Sequence, residues 1–214
     1  MIPSLLQIPS AVSDSKLHSV LPNNGKGDFT FDRSTGATRI NKDGLIEEVG
    51  YFSSELVQNG NFSELGSELV TNGDFATDSD WNLGAGWSIN DGKAVANTST
   101  NSTCNQNMSI TIGKTYKIVL TVSDYISGKF KPQFTGGGSS SGLNIQSNGT
   151  FTQYIVASAN HTKFRMQAVG NQFTGKIDNV SVKQVDPNDR WTLGTGWSYG
   201  DGVAISTTAQ THLT

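Results

Sequence analysis

The side chains that most often perform catalysis are few in this sequence and widely separated. The three histidines, His18, His161 and His212, show no metal-ligand spacing, and there is no nucleophile elbow, Walker loop or paired-cysteine motif. A glycosidase needs two carboxyl groups close together in a cleft, and nothing in the sequence selects such a pair. The Gly-rich stretches lie among short β-type segments, without the strand-to-helix transition of a phosphate-binding loop. We therefore predict that the protein is not an enzyme.

An internal repeat organises the elements of the chain. The sequence ELVTNGDF at 68–75 is preceded by ELVQNGNF at 55–62. The sequence WNLGAGWSINDGKA at 81–94 returns, 110 residues later, as WTLGTGWSYGDGVA at 191–204. An interval of that length is the size of a small β-sandwich, whereas supersecondary repeats recur every ~20–50 residues.

The repeat predicts four segments. We expect an arm at residues 1–50, a linker at 51–67, one complete β-module at 68–185 and the start of a second, incomplete module at 189–214. The extra ELVxNGxF copy in the linker is either a strand that pairs beside its twin at a sheet edge or a degenerate remnant of duplication.

Composition and patterning predict an all-β fold. Charged residues make up only 15% of the chain and Gly occurs 24 times, as in proteins with many turns. The clearest strand is 115–122, in which Tyr116, Ile118, Leu120 and Val122 alternate with more polar residues. Asn90-Asp91-Gly92 predicts a hairpin turn. Further strands are expected at 129–135, 149–157, 163–169 and 177–185, with the GGGSSSG stretch at 136–142 as a mobile loop.

Charge and cysteine usage exclude several classes of partner. The net charge of −3 argues against duplex nucleic acid, which calls for a concentrated Lys/Arg face. No segment approaches the ~20 apolar residues of a membrane span, and the N-terminus lacks the features of a signal peptide. The single Cys104 cannot form an internal disulfide and is expected to be a small buried residue. We predict no nucleic-acid and no membrane partner.

The first 50 residues differ from the rest of the chain. Three prolines and the turn-rich PNNGKGD stretch predict an extended arm punctuated by turns. Its apolar side chains are too few to close a core, so we expect them to pack on a partner protein. These candidate docking residues are Leu5, Leu6, Ile8, Leu17, Val20, Phe29 and Phe31.

Residues 16–50 carry a family resemblance. The SVLP turn, GDFTF followed by an arginine, the ATRIN run and the GLIEEV ending occur in that order. This segment resembles an N-terminal segment of tail-fibre-like and other structural proteins of bacteriophages. The resemblance implies a virion component, assembled in the host cytoplasm. Together with the apolar arm, it leads us to expect that residues 1–50 dock on other virion proteins of the capsid or tail. We expect a homo-oligomer, with a trimer favoured.

A second resemblance covers residues 68–185. NGDF, GWSI, DGKA, GKTYKIVLTV and KIDNVSVKQV occur in this order. Together they resemble carbohydrate-binding modules of the galactose-binding-like jelly-roll type, which implies a jelly-roll β-sandwich. In that family an aspartate of the last strand often helps to hold a structural calcium ion. The matching residue is Asp178, with Glu68 and Asn72 near the expected partners; the alternative is that Asp178 only caps a turn.

The same resemblance implies an aromatic platform for sugar, because the C–H face of a pyranose stacks on an aromatic ring. Candidate rings are Trp81, Tyr125 and Tyr154, whereas Trp87 is expected in the core. For Trp81 a core position is the alternative to a platform.

Two functions remain open at this stage. The first is a virion structural protein, of a fibre or the tail, whose β-modules contact host-surface glycan. The second is a carbohydrate-binding protein not tied to a virion, or a capsid decoration or head-fibre protein.

Overall fold

The computed structural model describes residues 8–13, 16–21, 29–30, 37–40, 43–49 and 56–206. Every regular element in these ranges is a β-strand, so the predicted all-β class is confirmed. Within the same ranges, no helix has the length and hydropathy needed to cross a bilayer. The chain divides into two compact units, Met1–Val57 and Gln58–Thr214. The four segment boundaries proposed above stay predictions.

The described part of the first unit consists of paired strands. Strands β1 (Ile8–Ser13), β2 (Lys16–Leu21) and β3 (Phe29–Thr30) form an antiparallel sheet, and β4 (Ala37–Ile40) pairs with β5 (Ile46–Val49). The predicted arm is thus organised here as antiparallel pairs. Of the candidate docking residues, Ile8 lies in β1, Leu17 and Val20 in β2 and Phe29 in β3, while Leu5, Leu6 and Phe31 lie outside the described residues.

The second unit contains a β-sandwich built on two long strands. Its strands are β6 (Leu65–Glu68), β7 (Asn82–Leu83), β8 (Trp87–Asn90), β9 (Lys93–Thr98), β10 (Thr103–Ile110), β11 (Thr115–Thr135), β12 (Ser139–Ser141), β13 (Gly149–Val156), β14 (His161–Val185), β15 (Trp197–Tyr199) and β16 (Ala204–Ser206). Strands β11 and β14 pair with each other along most of their length and contribute one half to each sheet.

The front sheet has the order β12-β11-β14-β10-β7 and uses the second half of β11 with the first half of β14. The back sheet joins β13 to the first half of β11 and then to the second half of β14. That half of β14 also pairs with β6 and with β9, and β9 pairs with β8. Strands β15 and β16 form a separate hairpin.

A sharp bend lets β11 serve both sheets. Asp124 and Gly128 have positive φ angles of 50° and 77°. A Cβ on Gly128 would lie 2.2 Å from the carbonyl oxygen of Gln172, so the close approach of the two strands needs glycine there. The ring of Tyr116, before the bend, lies 5.3 Å from that of Phe134, after it. The two halves of β11 therefore face each other across the core.

Alternation along the strands fills the space between the sheets. Tyr116, Ile118, Leu120 and Val122 are each at most 2% exposed, which confirms the predicted inward face of this strand. The front sheet contributes fully buried side chains from both of its long strands: Phe130, Phe134, Phe164, Met166 and Ala168. Complete burial of a side chain the size of Phe or Leu contributes about 1.5–3 kcal/mol.

The predicted hairpin turn is confirmed, whereas the predicted boundaries of four strands are corrected. Asp91 and Gly92 have φ angles of 49° and 66° between the paired residues Asn90 and Lys93, as a two-residue turn requires. The strands predicted at 115–122 and 129–135 are one strand, β11, and those at 163–169 and 177–185 are both parts of β14. The chain bends within each strand through irregular pairing, rather than leaving the sheet in a loop.

The stretch predicted as a mobile loop contains β12. Ser139–Ser141 pairs with Thr135–Gln133, and the Ser140 hydroxyl is 2.9 Å from Nε2 of the buried His161. Serine side chains that bond into the sheet explain why this small-residue segment is ordered. His161 and Ser140 are 1% and 6% exposed, so the pair has no access to a substrate.

Candidate functional site

A row of polar side chains crosses the whole front sheet on its outer side. In register, Ser141 lies beside Gln133, Gln133 beside Arg165, Arg165 beside Asn105, and Asn105 beside Asn82. These residues come from five neighbouring strands. Their positions follow from the strand period of two, because the residues on either side of Arg165, Phe164 and Met166, point into the core.

Hydrogen bonds fix the centre of this row. Nε of Arg165 donates to Oε1 of Gln133 at 2.7 Å, and Nη2 donates to Oε1 of Gln167 at 3.3 Å. Nε2 of Gln133 donates to the hydroxyl of Ser141 at 2.7 Å and to that of Ser139. The guanidinium is thus held on two sides by amide oxygens, and its other N–H groups have no partner among the described residues. Partial burial lowers the pKa of Arg165.

Two flanking rows extend the polar surface. Lys131, Gln167 and Thr103 form one row, and Thr135, Lys163 and Asn107 form the other. We call the whole surface the front face; it consists of Asn82, Thr103, Asn105, Asn107, Lys129, Lys131, Gln133, Thr135, Ser139, Ser141, Lys163, Arg165 and Gln167. Amide and hydroxyl groups donate and accept hydrogen bonds, so this surface suits a ligand rich in hydroxyl groups.

Sequence reasoning missed the front face, although a signal was present. The segments KFKPQ at 129–133 and KFRMQ at 163–167 share one alternating pattern of polar and apolar residues. Antiparallel pairing places the glutamine of each segment beside the central cation of the other, Gln133 beside Arg165 and Gln167 beside Lys131. The repeated pattern is therefore a sequence signal that these two segments pair and share one polar surface.

The three candidate platform rings do not lie on one surface. Trp81 is only 8% exposed and lies 5.0 Å from Phe75 and 6.5 Å from Phe164, so its ring face is covered. The alternative reading of Trp81 as a core residue is the one that fits this geometry. Its indole Nε1 donates to the carbonyl oxygen of Asn72 at 2.9 Å. The Trp87 ring is buried at 6% exposure, as expected.

The two candidate tyrosines lie apart from each other. Tyr125 is half-buried at the bend of β11, where its hydroxyl donates to the carbonyl oxygen of Gly128 at 3.0 Å. Tyr154 lies on β13 in the back sheet beside Lys117, whose Nζ is 5.9 Å from the ring centroid. Burial raises the pKa of the Tyr154 hydroxyl, which lies 3.4 Å from Asp201. These rings therefore do not form a single platform.

The three candidate calcium ligands each have other partners. Oε1 of Glu68 accepts from the backbone N–H groups of Leu69, Val70 and Val182. Oδ2 of Asp178 pairs with Nζ of Lys93 at 3.0 Å, and the amide of Asn72 bonds to backbone groups at 77 and 79. In the described residues, no cluster of three or more His, Cys, Asp or Glu could hold a metal ion. Calcium binding stays a prediction.

The extra ELVxNGxF copy contacts the second tryptophan motif, which lies about 130 residues later in the sequence and begins at Trp191. Trp191 Nε1 donates to the carbonyl oxygen of Asn59 at 2.9 Å, as Trp81 does to that of Asn72. The ring of Phe62 lies 5.0 Å from Trp191, the same separation as between Phe75 and Trp81. Residues 58–62 and 191–204 therefore form one copy of the motif, which we call the split copy.

Of the two alternatives left open for the extra copy, the edge strand is not what the structure contains. In each copy, the asparagine and the phenylalanine have φ angles near +50°, at Asn59 and Phe62 and again at Asn72 and Phe75. The backbone makes a turn there that folds the phenylalanine ring back onto the tryptophan. Between these two turns, residues 65–68 form a strand, β6.

A buried carboxylate joins the two parts of the split copy. Asp186 is 2% exposed and accepts hydrogen bonds from Nδ2 of Asn59 at 3.0 Å, from the backbone N–H of Trp191 at 2.8 Å and from the hydroxyl of Tyr199 at 3.0 Å. Burial raises the pKa of Asp186, but the bonds it accepts outweigh this effect and hold the pKa below its usual range. Burial and the Asp186 carboxylate together raise the pKa of Tyr199.

A cavity of about 510 Å³ lies between the split copy and the back sheet. Its walls include Trp191, Trp197 and Leu193 from the split copy and Val156 and Lys114 from the sandwich. Trp197 corresponds to the buried Trp87 of the first copy, and the indole N–H of each has no partner among the described residues. The cavity is a concave surface lined by two half-buried tryptophans, on the opposite sheet from the front face.

Comparisons with known proteins found similarity among solved structures only. A scan against protein-family models and a search of curated proteins each gave no match. Among solved structures, a mutant of the family 29 carbohydrate-binding module CBM29-2 complexed with mannohexaose is 15% identical, with a TM-score of 0.41; the match covers 56% of this chain and 92% of that one. Another structure, described as a family 29 carbohydrate-binding module, is 17% identical, with a TM-score of 0.37 and coverage of 52% and 87%. Similarities of this size carry no information about a ligand of this chain.

Proposed function

We propose that the β-sandwich binds a glycan on the front face and that the protein is a structural component of a bacteriophage virion. The observation that carries the first part is the polar row that crosses five strands, in which Ser141, Arg165, Asn105 and Asn82 are at least partly exposed. Gln133 is only 4% exposed, so it positions Arg165 and Ser141 instead of contacting the ligand. Side chains held by one another in a regular array give a hydroxylated ligand several donors and acceptors at once. Binding rather than catalysis is the proposed activity.

The affinity of one such surface is low. The front face is a sheet surface without an aromatic platform, so it buries little ligand area. We expect millimolar to high-micromolar affinity, about −4 to −6 kcal/mol. A homo-oligomer that presents several copies would raise avidity without new contacts, and a symmetric trimer is the proposed assembly.

The virion role rests on the resemblance of residues 16–50 to N-terminal segments of phage structural proteins. In this proposal residues 1–50 anchor the protein to a capsid or tail protein, and the second unit projects toward the host surface. A density map of the virion that locates residues 1–50 against another virion protein tests it. Limited proteolysis of the free protein should cut before about residue 50, because a segment with little apolar surface to bury orders on its partner. Full protection of that region in the free protein would contradict docking-dependent order.

Glycan binding is tested on an array probed with the monomeric chain and with a tethered multimer. Asn105→Ala and Gln167→Ala alter the front face, Tyr154→Ala alters the back sheet and Trp197→Ala alters the cavity. We expect the two front-face variants to stay folded and to lose at least tenfold of the multimer signal, while the other two keep it. A multimer without glycan signal, or a signal lost only with Tyr154→Ala or Trp197→Ala, would contradict the proposal.

A further inference from the structure

The positive charges of the sandwich are concentrated in one part of the chain. Residues 92–177 contain eight Lys or Arg and a single acidic residue, Asp124, although the whole chain has a net charge of −3. None of the five strand segments that form the front sheet contains an Asp or a Glu. The front sheet itself carries four of these cations, Lys129, Lys131, Lys163 and Arg165, and no carboxylate, so it is cationic on an acidic protein.

Cations outside the front face are mostly neutralised. The pairs are Lys93 with Asp178, Lys114 with Asp189, Lys117 with Asp201, Lys176 with Asp124 and Arg190 with Glu64. By contrast, the four cations of the front face, Lys129, Lys131, Lys163 and Arg165, have no carboxylate within ion-pair distance among the described residues. Within residues 58–206, Lys183 on the back sheet is the other Lys or Arg for which no ion pair is present, and no second unpaired cation lies beside it on that sheet.

The four unpaired cations follow one line on the front face. In register, Lys131 lies one row from Arg165 on one side and Lys163 one row away on the other, and Lys129 lies one row beyond Lys131. Rows on one face of a strand are two residues, or about 7 Å, apart, so the line is roughly 20 Å long. Uncompensated charges that lie side by side repel one another, and an anionic ligand would remove that repulsion.

Arg165 is the member of this line that is best placed to recognise a carboxylate. Gln133 and Gln167 fix its guanidinium through Nε and Nη2, and the remaining N–H groups lack partners among the described residues. A planar guanidinium held in this way can bind a carboxylate through two parallel hydrogen bonds. Amides and hydroxyls in the same rows, such as Asn105 and Ser141, are suited to hydroxyl groups of the same ligand.

We propose that the front face binds an acidic polysaccharide whose sugars carry carboxylates beside hydroxyls, with Arg165 as the carboxylate-binding residue. This inference rests on the proposed glycan-binding function and specifies its ligand class. Single-stranded nucleic acid would also supply negative charge, but bases are normally held by stacking on aromatic rings. The front face carries none.

The test measures binding of the full chain to oligogalacturonate and to a neutral oligosaccharide of the same length, by isothermal titration calorimetry at low and high salt. We expect the acidic oligosaccharide to bind at least tenfold more tightly than the neutral one at low salt, with the difference shrinking at high salt. Arg165→Gln should weaken binding of oligogalacturonate at least tenfold. The matched control Lys183→Gln removes the same charge from the back sheet and should leave binding unchanged.

Lys131→Gln and Lys163→Gln provide independent tests if Arg165→Gln does not fold, and each should weaken acidic binding about threefold. Equal binding of the neutral and acidic oligosaccharides through the front face would overturn this inference and leave the proposed function standing. Absence of any saccharide binding would overturn both. Tighter, Arg165-dependent binding of single-stranded oligonucleotide would replace the polysaccharide with nucleic acid.

Discussion

The hydrogen bonds of Asp186 predict a local rather than a global effect of Asp186→Ala. The carboxylate is buried and accepts bonds from Asn59, Trp191 and Tyr199. A buried donor left without a partner costs about 1–3 kcal/mol. Because water can bond to some of the three donors that the substitution leaves free, we expect a total loss of stability of about 3 kcal/mol. These bonds join the two parts of the split copy, so the loss should fall on the split copy and not on the sandwich.

Hydrogen exchange followed by mass spectrometry measures this effect by region. A change of about 3 kcal/mol corresponds to roughly a 100-fold loss of protection, since 1.4 kcal/mol is a factor of ten. We expect that loss in peptides covering 58–64 and 190–200, with peptides of β11 unchanged. The control Asp189→Ala removes a carboxylate that is 63% exposed and paired with Lys114, and its effect should be less than fivefold. Equal loss of protection in β11, or none at 190–200, would refute the reasoning.

Acid should reproduce the effect of the substitution. Because the hydrogen bonds to Asp186 hold its pKa below its usual range in the folded protein, its contribution is fully present above the unfolded value of about 3.9. The contribution is lost as pH falls through the lower, folded pKa. Protection at 190–200 should therefore be constant from neutral pH to about pH 5 and decrease below about pH 4, and this loss on acidification should be absent in Asp186→Asn.

Three further outcomes are expected. Trp81→Ala should lower the free energy of unfolding by about 3–5 kcal/mol in denaturant titrations, because it empties a buried ring site; a stable variant that only loses glycan binding would contradict this. If calcium binds at Asp178, chelator should lower the melting temperature of the parent but not of Asp178→Ala, whereas identical melting with and without calcium would reject the site. Burial raises the pKa of the Cys104 thiol to about 12, so a thiol reagent at pH 8 should react with it only after unfolding, and rapid labelling of the native protein would show that Cys104 is accessible.

Elements set by local patterning were predictable from the sequence. The alternation of Tyr116, Ile118, Leu120 and Val122 defined an inward face, and Asp91-Gly92 defined a tight turn; both are present in the structure. These features depend on neighbouring residues only. The continuity of β11 and β14 could not be predicted. The bend at Gly128 is an irregularity in strand pairing, and in the sequence it looks like the end of one strand and the start of another.

The front face and the split copy depend on contacts between residues that are distant in the sequence. Each half of the split copy was visible as a repeat, but their pairing is set by Asp186, which lies 127 residues from Asn59. The polar residues of the front face looked like ordinary solvent-facing positions, and only the register places Gln133 beside Arg165. Trp81 was a candidate platform because its sequence neighbours do not show that Phe75 folds back to cover its ring.

The split copy also determines how the second unit would carry a mechanical load. Asn59 and Trp191 are joined directly, so the chain enters and leaves the sandwich at adjacent points. Tension applied at residues 58 and 191 would pass first through the bonds among Asn59, Asp186 and Trp191, and the long pairing of β11 with β14 would stay unloaded until those bonds broke. Such an arrangement would act as a force-bearing clasp that shields the front sheet from stretching.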